Sequence, residues 1–148
     1  MGFAVELIAE IIEAYYAGKR VVLAAPGSKA AEIEEAVLAV WSQQWPRLRA
    51  TYSFCTASVK ELGRADASDY DVQVVAHADA SRARNAASWA AFAASDAAEN
   101  RVTPLRRFLW RYGRDISNPR RNYGMLIGLF ERWGDADDMP MEAASEVF

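Results

Sequence analysis

The chain has 148 residues, of which 52% are apolar, with a formal net charge of −3 and a single cysteine, Cys55. That length and apolar content suffice for one continuous core. A lone cysteine excludes an intramolecular disulfide scaffold, and the acidic balance excludes a wholesale nucleic-acid coat. One compact domain of a reducing cytoplasm is therefore expected over residues 1–134. Neither a signal peptide nor a membrane span is expected, because Glu6 and Glu10 interrupt the opening apolar stretch and no later run approaches about 18 apolar residues.

From Phe3 to Ala17, Val5, Ile8, Ile12 and Tyr15 recur at three- and four-residue steps, which predicts an amphipathic helix stopped by Gly18. Val21 to Ala25 is an apolar run of strand length without polar alternation, and it predicts a central strand buried on both faces. Pro26-Gly27-Ser28 makes a turn, with Ser28 as N-cap of a helix that aligns Ile33, Val37, Val40 and Trp41 and carries Glu32, Glu34 and Glu35 in its early turns. Pro46 ends that helix. Leu48 to Thr56 then reads as a second strand with Leu48, Ala50, Tyr52, Phe54 and Thr56 on one face, completing a right-handed βαβ unit.

Ala57 to Asp69 is rich in small, charged and turn-forming residues and reads as a surface loop, followed by a third strand from Asp71 to His77. An alanine-rich helix runs on to Glu99, with Trp89, Phe92 and Ala93 available for packing. Ser117-Asn118-Pro119 divides the remainder into two short helices, about 104–116 and 122–133. After Gly134 come Asp135, Asp137, Asp138, Glu142 and Glu146 without a base, an acidic tail or linker over 135–148. The fold class expected is α/β: a small, mainly parallel three-strand sheet flanked by helices, with a C-terminal helical pair.

Chemistry finds little support in the motifs. Aligning Lys29 with a P-loop lysine puts Leu23 and Ser28 where glycines are needed and Ala30 where a metal-binding hydroxyl is needed, so a plain strand-to-helix turn is expected and a degenerate nucleotide-binding domain is the alternative. Cys55 lies among residues of a strand, where a thiol behaves as a small apolar group, and nothing local joins it to His77, the only histidine. One histidine and one cysteine make no zinc site, and Asp66, Asp69 and Asp71 form a polar loop without a ligand-loop pattern or a paired base. No catalytic residue, metal or cofactor is implied.

The arginines are more informative. Arg101, Arg106, Arg107, Arg111, Arg114, Arg120 and Arg121 fall in a stretch whose only acid is Asp115. In a helix, Leu105, Leu109, Tyr112 and Ile116 share one face while Arg107, Arg111 and Arg114 gather on the other, although Gly113 lowers the propensity before Arg114. Arg106, Arg107, Arg111, Arg114, Arg120 and Arg121 are the candidate partner-binding residues, because guanidinium groups pair with carboxylate or phosphate in bidentate fashion. Phe108, Trp110 and Tyr112 would add stacking surface if exposed. An acidic protein surface ranks ahead of nucleic acid as the partner, and the competing readings are a merely solvated face or neutralisation of the acidic tail.

Gly18-Lys19-Arg20-Val21-Val22-Leu23-Ala24, followed by Trp45-Pro46-Arg47-Leu48-Arg49-Ala50-Thr51-Tyr52-Ser53-Phe54-Cys55-Thr56 and by Asp71-Val72-Gln73-Val74-Val75, resembles the middle domain of bacterial GTPase-associated proteins of the first type. The resemblance covers roughly Val5 to Val75. It implies a non-catalytic adaptor of a bacterial intracellular conflict or defence system, with a GTPase or effector module as partner, and it implies that the chain is one module of a longer protein. The family brings no catalytic residues to transfer.

Overall fold

The computed structural model describes residues 3–24, 29–56, 70–75 and 87–134. The first helix, α1 (Phe3–Tyr16), buries Ile8, Ile11, Ile12 and Tyr15 and ends at Gly18, whose φ of +74° lets the N–H of Lys19 close back on the Ala14 carbonyl. A residue with a Cβ resists that left-handed conformation, which is why glycine stands there. The chain then enters β1 (Val21–Ala24), α2 (Ala30–Gln43), a one-turn α3 (Pro46–Arg49), β2 (Phe54–Cys55) and β3 (Val72–Val75). Helices α4 (Ser88–Ala98), α5 (Pro104–Tyr112) and α6 (Pro119–Trp133) complete the described chain. The architecture is the α/β one expected, a parallel three-stranded sheet flanked by helices with helices at its C-terminal end.

The strand order is β1-β3-β2, so the central strand is the last in sequence. Val72 of β3 lies opposite both Val21 and Phe54, and Val72, Val74 and Val75 are all buried. The run at Val21 is therefore an edge strand rather than a central one, and Val22 is 51% exposed. A short apolar run reports the absence of polar residues but not which faces are covered.

The second expected strand is reduced to Phe54 and Cys55, and Leu48 and Arg49 at its expected start belong to helix α3. Pro46 starts α3 instead of merely ending α2, because its fixed φ and missing N–H suit the first position of a helix. Arg49 and Ala50 donate their N–H groups to the carbonyls of Trp45 and Pro46, Leu48 is buried, and only Phe54 and Cys55 pair with β3. Cys55 thus sits half-buried on an edge strand, not shielded at the sheet centre.

Packing around α1 is dominated by α4, whose Ala90, Ala93, Ala94 and Ala97 are all buried. Small side chains let the two backbones approach closely, so the narrow alanine face is a contact surface in its own right. Phe92 is partly exposed while its ring packs 6.3 Å from that of Phe130, and Trp89 is half-buried. Pro119 opens α6 where Ser117-Asn118-Pro119 marks the break, three residues earlier than the apolar periodicity suggests and after Asn118 at a φ of 47°, whereas α5 stops at Tyr112, four residues short of its expected end at 116. The turn 26–28 with its proposed Ser28 cap, the 57–69 loop, His77 and the 135–148 tail lie outside the described residues. Among the described residues no helix is long and apolar enough to cross a membrane.

Two glycines separate packing from propensity. A Cβ on Gly113 would meet the Leu109 carbonyl oxygen and Trp45 Cε3 at 2.5 Å each, whereas a Cβ on Gly128 in α6 would meet nothing within 4 Å. Trp45 is wholly buried and cannot retreat. Gly113→Ala is expected to lower stability by about 1–3 kcal/mol through overpacking. Gly128→Ala is expected to raise it by up to about 1 kcal/mol through helix propensity. Urea unfolding midpoints of the two variants check the opposite signs.

Candidate partner-binding surface

Helix α5 buries Leu105, Phe108 and Leu109, and Thr103 caps its start by accepting the Arg106 N–H at 3.0 Å. That orientation exposes Arg107 and Arg111, as the apolar stripe predicts, with Arg114 and Arg121 exposed beyond the helix and on the first turn of α6. Phe108 is fully buried, so it offers no stacking surface, and the half-buried Trp110 spends its indole N–H on the Gln43 carbonyl at 2.9 Å.

Arg106 does not belong to this face. Only 4% exposed, it donates from Nη2 to the Ala97 carbonyl at 2.9 Å and holds its Nε 3.7 Å from Asp96 Oδ2. Asp96 in turn accepts Gln43 Nε2 at 2.7 Å, the same amide donates to the Ala93 carbonyl, and the Tyr123 hydroxyl donates to Gln43 Oε1 at 2.5 Å. Arg106 is one step from Leu105 and three from Leu109 in the helix, which carries it to the edge of the buried stripe and within reach of Asp96. The partner lies on another helix, so the spacing of the arginines alone does not reveal it.

Arg120, half-buried, is likewise engaged within the chain. Its Nε donates to the Tyr15 carbonyl at 2.5 Å, its Nη1 pairs with Asp71 Oδ1 at 2.7 Å, and its guanidinium lies 4.0 Å above the Tyr15 ring. The other Asp71 oxygen accepts the Ser53 hydroxyl at 3.0 Å and the Ser53 backbone N–H at 3.2 Å. Arg120 therefore joins α6 to the end of α1 and to the segments leading into β2 and β3. Asp71, read from sequence as part of a polar loop, is the acceptor at the centre of that joint, while Asp66 and Asp69 lie outside the described residues.

Of the six candidate arginines, four remain on the surface. Arg114 pairs with Asp115 at 3.2 Å where both are well exposed, a contact worth at most about 1 kcal/mol. Arg111 lies 5.3 Å from the Tyr112 ring. The side chains of Arg107 and Arg121 have no hydrogen-bond or ion-pair partner among the described residues. The distribution of charge is one-sided: α5 and α6 hold six arginines against Glu131, whereas α1 and α2 hold six glutamates and no base.

Burial pushes the phenols of Tyr16, Tyr52 and Tyr123 well above their ordinary range, desolvation being the main cause in each and the Asp96 carboxylate adding to it at Tyr123. Tyr16 and Tyr123 stack with ring centroids 3.6 Å apart. Among the described residues no group of three or more histidine, cysteine, aspartate or glutamate side chains is placed to hold a metal ion. The described residues thus form an α/β domain with a divided surface, acidic on α1 and α2 and basic on α5 and α6. Comparison of the chain with models of protein families, with curated proteins and with solved structures finds no match.

The two neighbouring arginines of α5 should behave oppositely. Arg106→Ala leaves Asp96 buried without its cation and is expected to cost about 3–5 kcal/mol. Arg107→Ala is expected to stay within about 0.5 kcal/mol of the parent. Denaturant unfolding measures both. The buried phenols set an alkaline limit: the unfolded chain releases their protons near pH 10, and the folded chain holds them. Stability from these groups is therefore intact below about pH 9 and falls above pH 10 by roughly 1.4 kcal/mol per pH unit for each, about 4 for the three. Tyrosinate absorbance of these residues should rise together with unfolding, not ahead of it.

Proposed function

We propose that the domain is a non-catalytic interaction module that binds an acidic protein surface through Arg107, Arg111 and Arg114. The observation that carries this reading is the contrast within one helix, where Arg106 is bound by Asp96 and the Ala97 carbonyl while Arg107 and Arg111 stand exposed without a carboxylate among the described residues. Arg107 and Arg111 are four residues apart on the same helix, an arrangement of like charges that costs a few tenths of a kcal/mol. The Tyr112 ring lies 5.3 Å from Arg111 but brings no negative charge, and an external carboxylate would neutralise both arginines. In the setting implied by the resemblance to GTPase-associated proteins, the acidic partner is a GTPase or an effector module of a bacterial intracellular defence system.

The variant Arg107→Ala/Arg111→Ala/Arg114→Ala is expected to melt close to the parent, since each exposed charge contributes within about 0.5 kcal/mol. Its binding to proteins encoded beside it should weaken at least tenfold, about 1.4 kcal/mol. Binding by the parent should also fall between 0.1 and 1 M salt, as the screening length drops from about 10 to about 3 Å. Binding unchanged by the triple substitution, or a loss confined to duplex or single-stranded nucleic acid, would overturn the proposal.

A further inference from the structure

A separate surface lies on the acidic side of the domain. An open groove of about 840 Å³ runs between α1, α2 and the end of α4, and its lining contains no basic residue. Along α2 the groove has two halves. Glu32 and Glu35 line the N-terminal half, and Leu38 and Trp41, 49% and 39% exposed, line the C-terminal half. Alanines such as Ala39 and Ala97 leave the groove open between these larger groups. The Trp41 side chain is restrained by the Arg49 guanidinium, which lies 4.8 Å from the indole ring while its Nε donates to the Trp41 backbone carbonyl at 3.1 Å. A large apolar side chain already fixed loses little freedom on binding.

The face that complements this groove is on the same chain. On α6, Arg121, Met125 and Gly128 follow at intervals of four and three residues, and all three are exposed, Met125 to 47%. At 1.5 Å per residue, Arg121 stands about 6 Å before Met125 and Gly128 about 4.5 Å after it. On α2, Glu35 stands about 4.5 Å before Leu38 and Trp41 about 4.5 Å after it. Laid side by side, cation meets carboxylate, Met125 meets Leu38, and Gly128, which has open space where a Cβ would be, meets the Trp41 indole. Arg121 also stands at the positive end of the α6 dipole, an unfavourable position of about 0.3–1 kcal/mol that a carboxylate from outside would relieve. The arginine helix α5 is a poorer occupant, because Leu105, Phe108 and Leu109 are buried and bring no apolar side chain to the groove.

We propose that the groove of one copy of this chain, formed by Glu32, Glu35, Leu38 and Trp41, receives the Arg121–Met125–Gly128 face of a second copy. The donating and receiving faces belong to different helices, so each copy can give and receive at once, and the contact closes as a reciprocal dimer or ring or else extends head-to-tail. Neither face includes Arg107, Arg111 or Arg114, and the inference does not rest on the partner reading above.

Sedimentation velocity over a concentration series to about 1 mM, together with a mixing experiment, tests the contact. The parent should associate, more weakly at high salt. Glu32→Arg/Glu35→Arg, which loses the receiving face, and Arg121→Ser/Met125→Ser, which loses the donating face without offering a carboxylate to the introduced arginines, should each need at least tenfold higher concentration to associate. Circular dichroism and melting should show both variants folded, since all four positions are exposed. An equimolar mixture of the two retains one intact donating face and one intact receiving face, and it should form a 1:1 dimer that grows no further. A parent monomeric throughout the series, variants that associate like the parent, or a mixture that stays monomeric would overturn the inference. So would a lysine-rich amphipathic synthetic helix occupying the groove of a parent that does not self-associate.

Discussion

Gln43, the last residue of α2, is where four helices meet through hydrogen bonds. Its amide nitrogen reaches the Ala93 carbonyl and the Asp96 carboxylate of α4, its amide oxygen accepts the Tyr123 hydroxyl of α6, and its backbone carbonyl accepts the Trp110 indole of α5. An amide offers both donors and an acceptor, so one buried side chain satisfies polar groups from several elements at once. Remove it, and the Tyr123 hydroxyl loses its acceptor in a dry interior, where an unpaired group costs about 1–3 kcal/mol, while Asp96 keeps only its longer contact with Arg106. The placement of α5, and with it the outward direction of Arg107 and Arg111, depends on this joint.

The arginines show how location decides the role of one residue type. Arg106, buried, and Arg120, half-buried, are engaged by Asp96, Asp71 and backbone carbonyls of the same chain, and their planar donor groups suit such multiple acceptors better than a lysine would. Arg107, Arg111, Arg114 and Arg121 stay on the surface. With the glutamates of α1 and α2 on other elements, the net charge of −3 conceals a strongly polar distribution. A partner would therefore sense the orientation of the domain before contact, through a field that the net charge understates.

The helices were legible because their apolar positions repeat at helical spacing and their stops are marked by Gly18, Gly113 and Pro119. The parallel sheet was legible as three apolar runs, but not its order, because only the inserted position of β3 makes Val22 an edge residue. Leu48 to Thr56 misleads for a local reason: alternation of large and small residues imitates a strand, while Pro46 directs the first turn into a helix. For the candidate site, the exposed Arg107, Arg111 and Arg114 follow from the stripe of Leu105 and Leu109. Arg106 and Arg120 do not, since the acids that claim them come from distant parts of the chain. Nor does the α2 groove, which exists only because α1 and α4 close around it.

The pairing of α1 with α4 has a consequence for how the chain is made. All of the sheet lies between these helices in sequence, so a ribosome delivers the apolar face of α1 well before the alanine face that covers it. At synthesis rates of about 5–20 residues per second, Ile8, Ile11 and Ile12 wait several seconds without their partner. During that interval the nascent chain displays a hydrophobic helix of the kind that chaperones hold, and the rate of elongation through the middle of the message sets how long it remains on display.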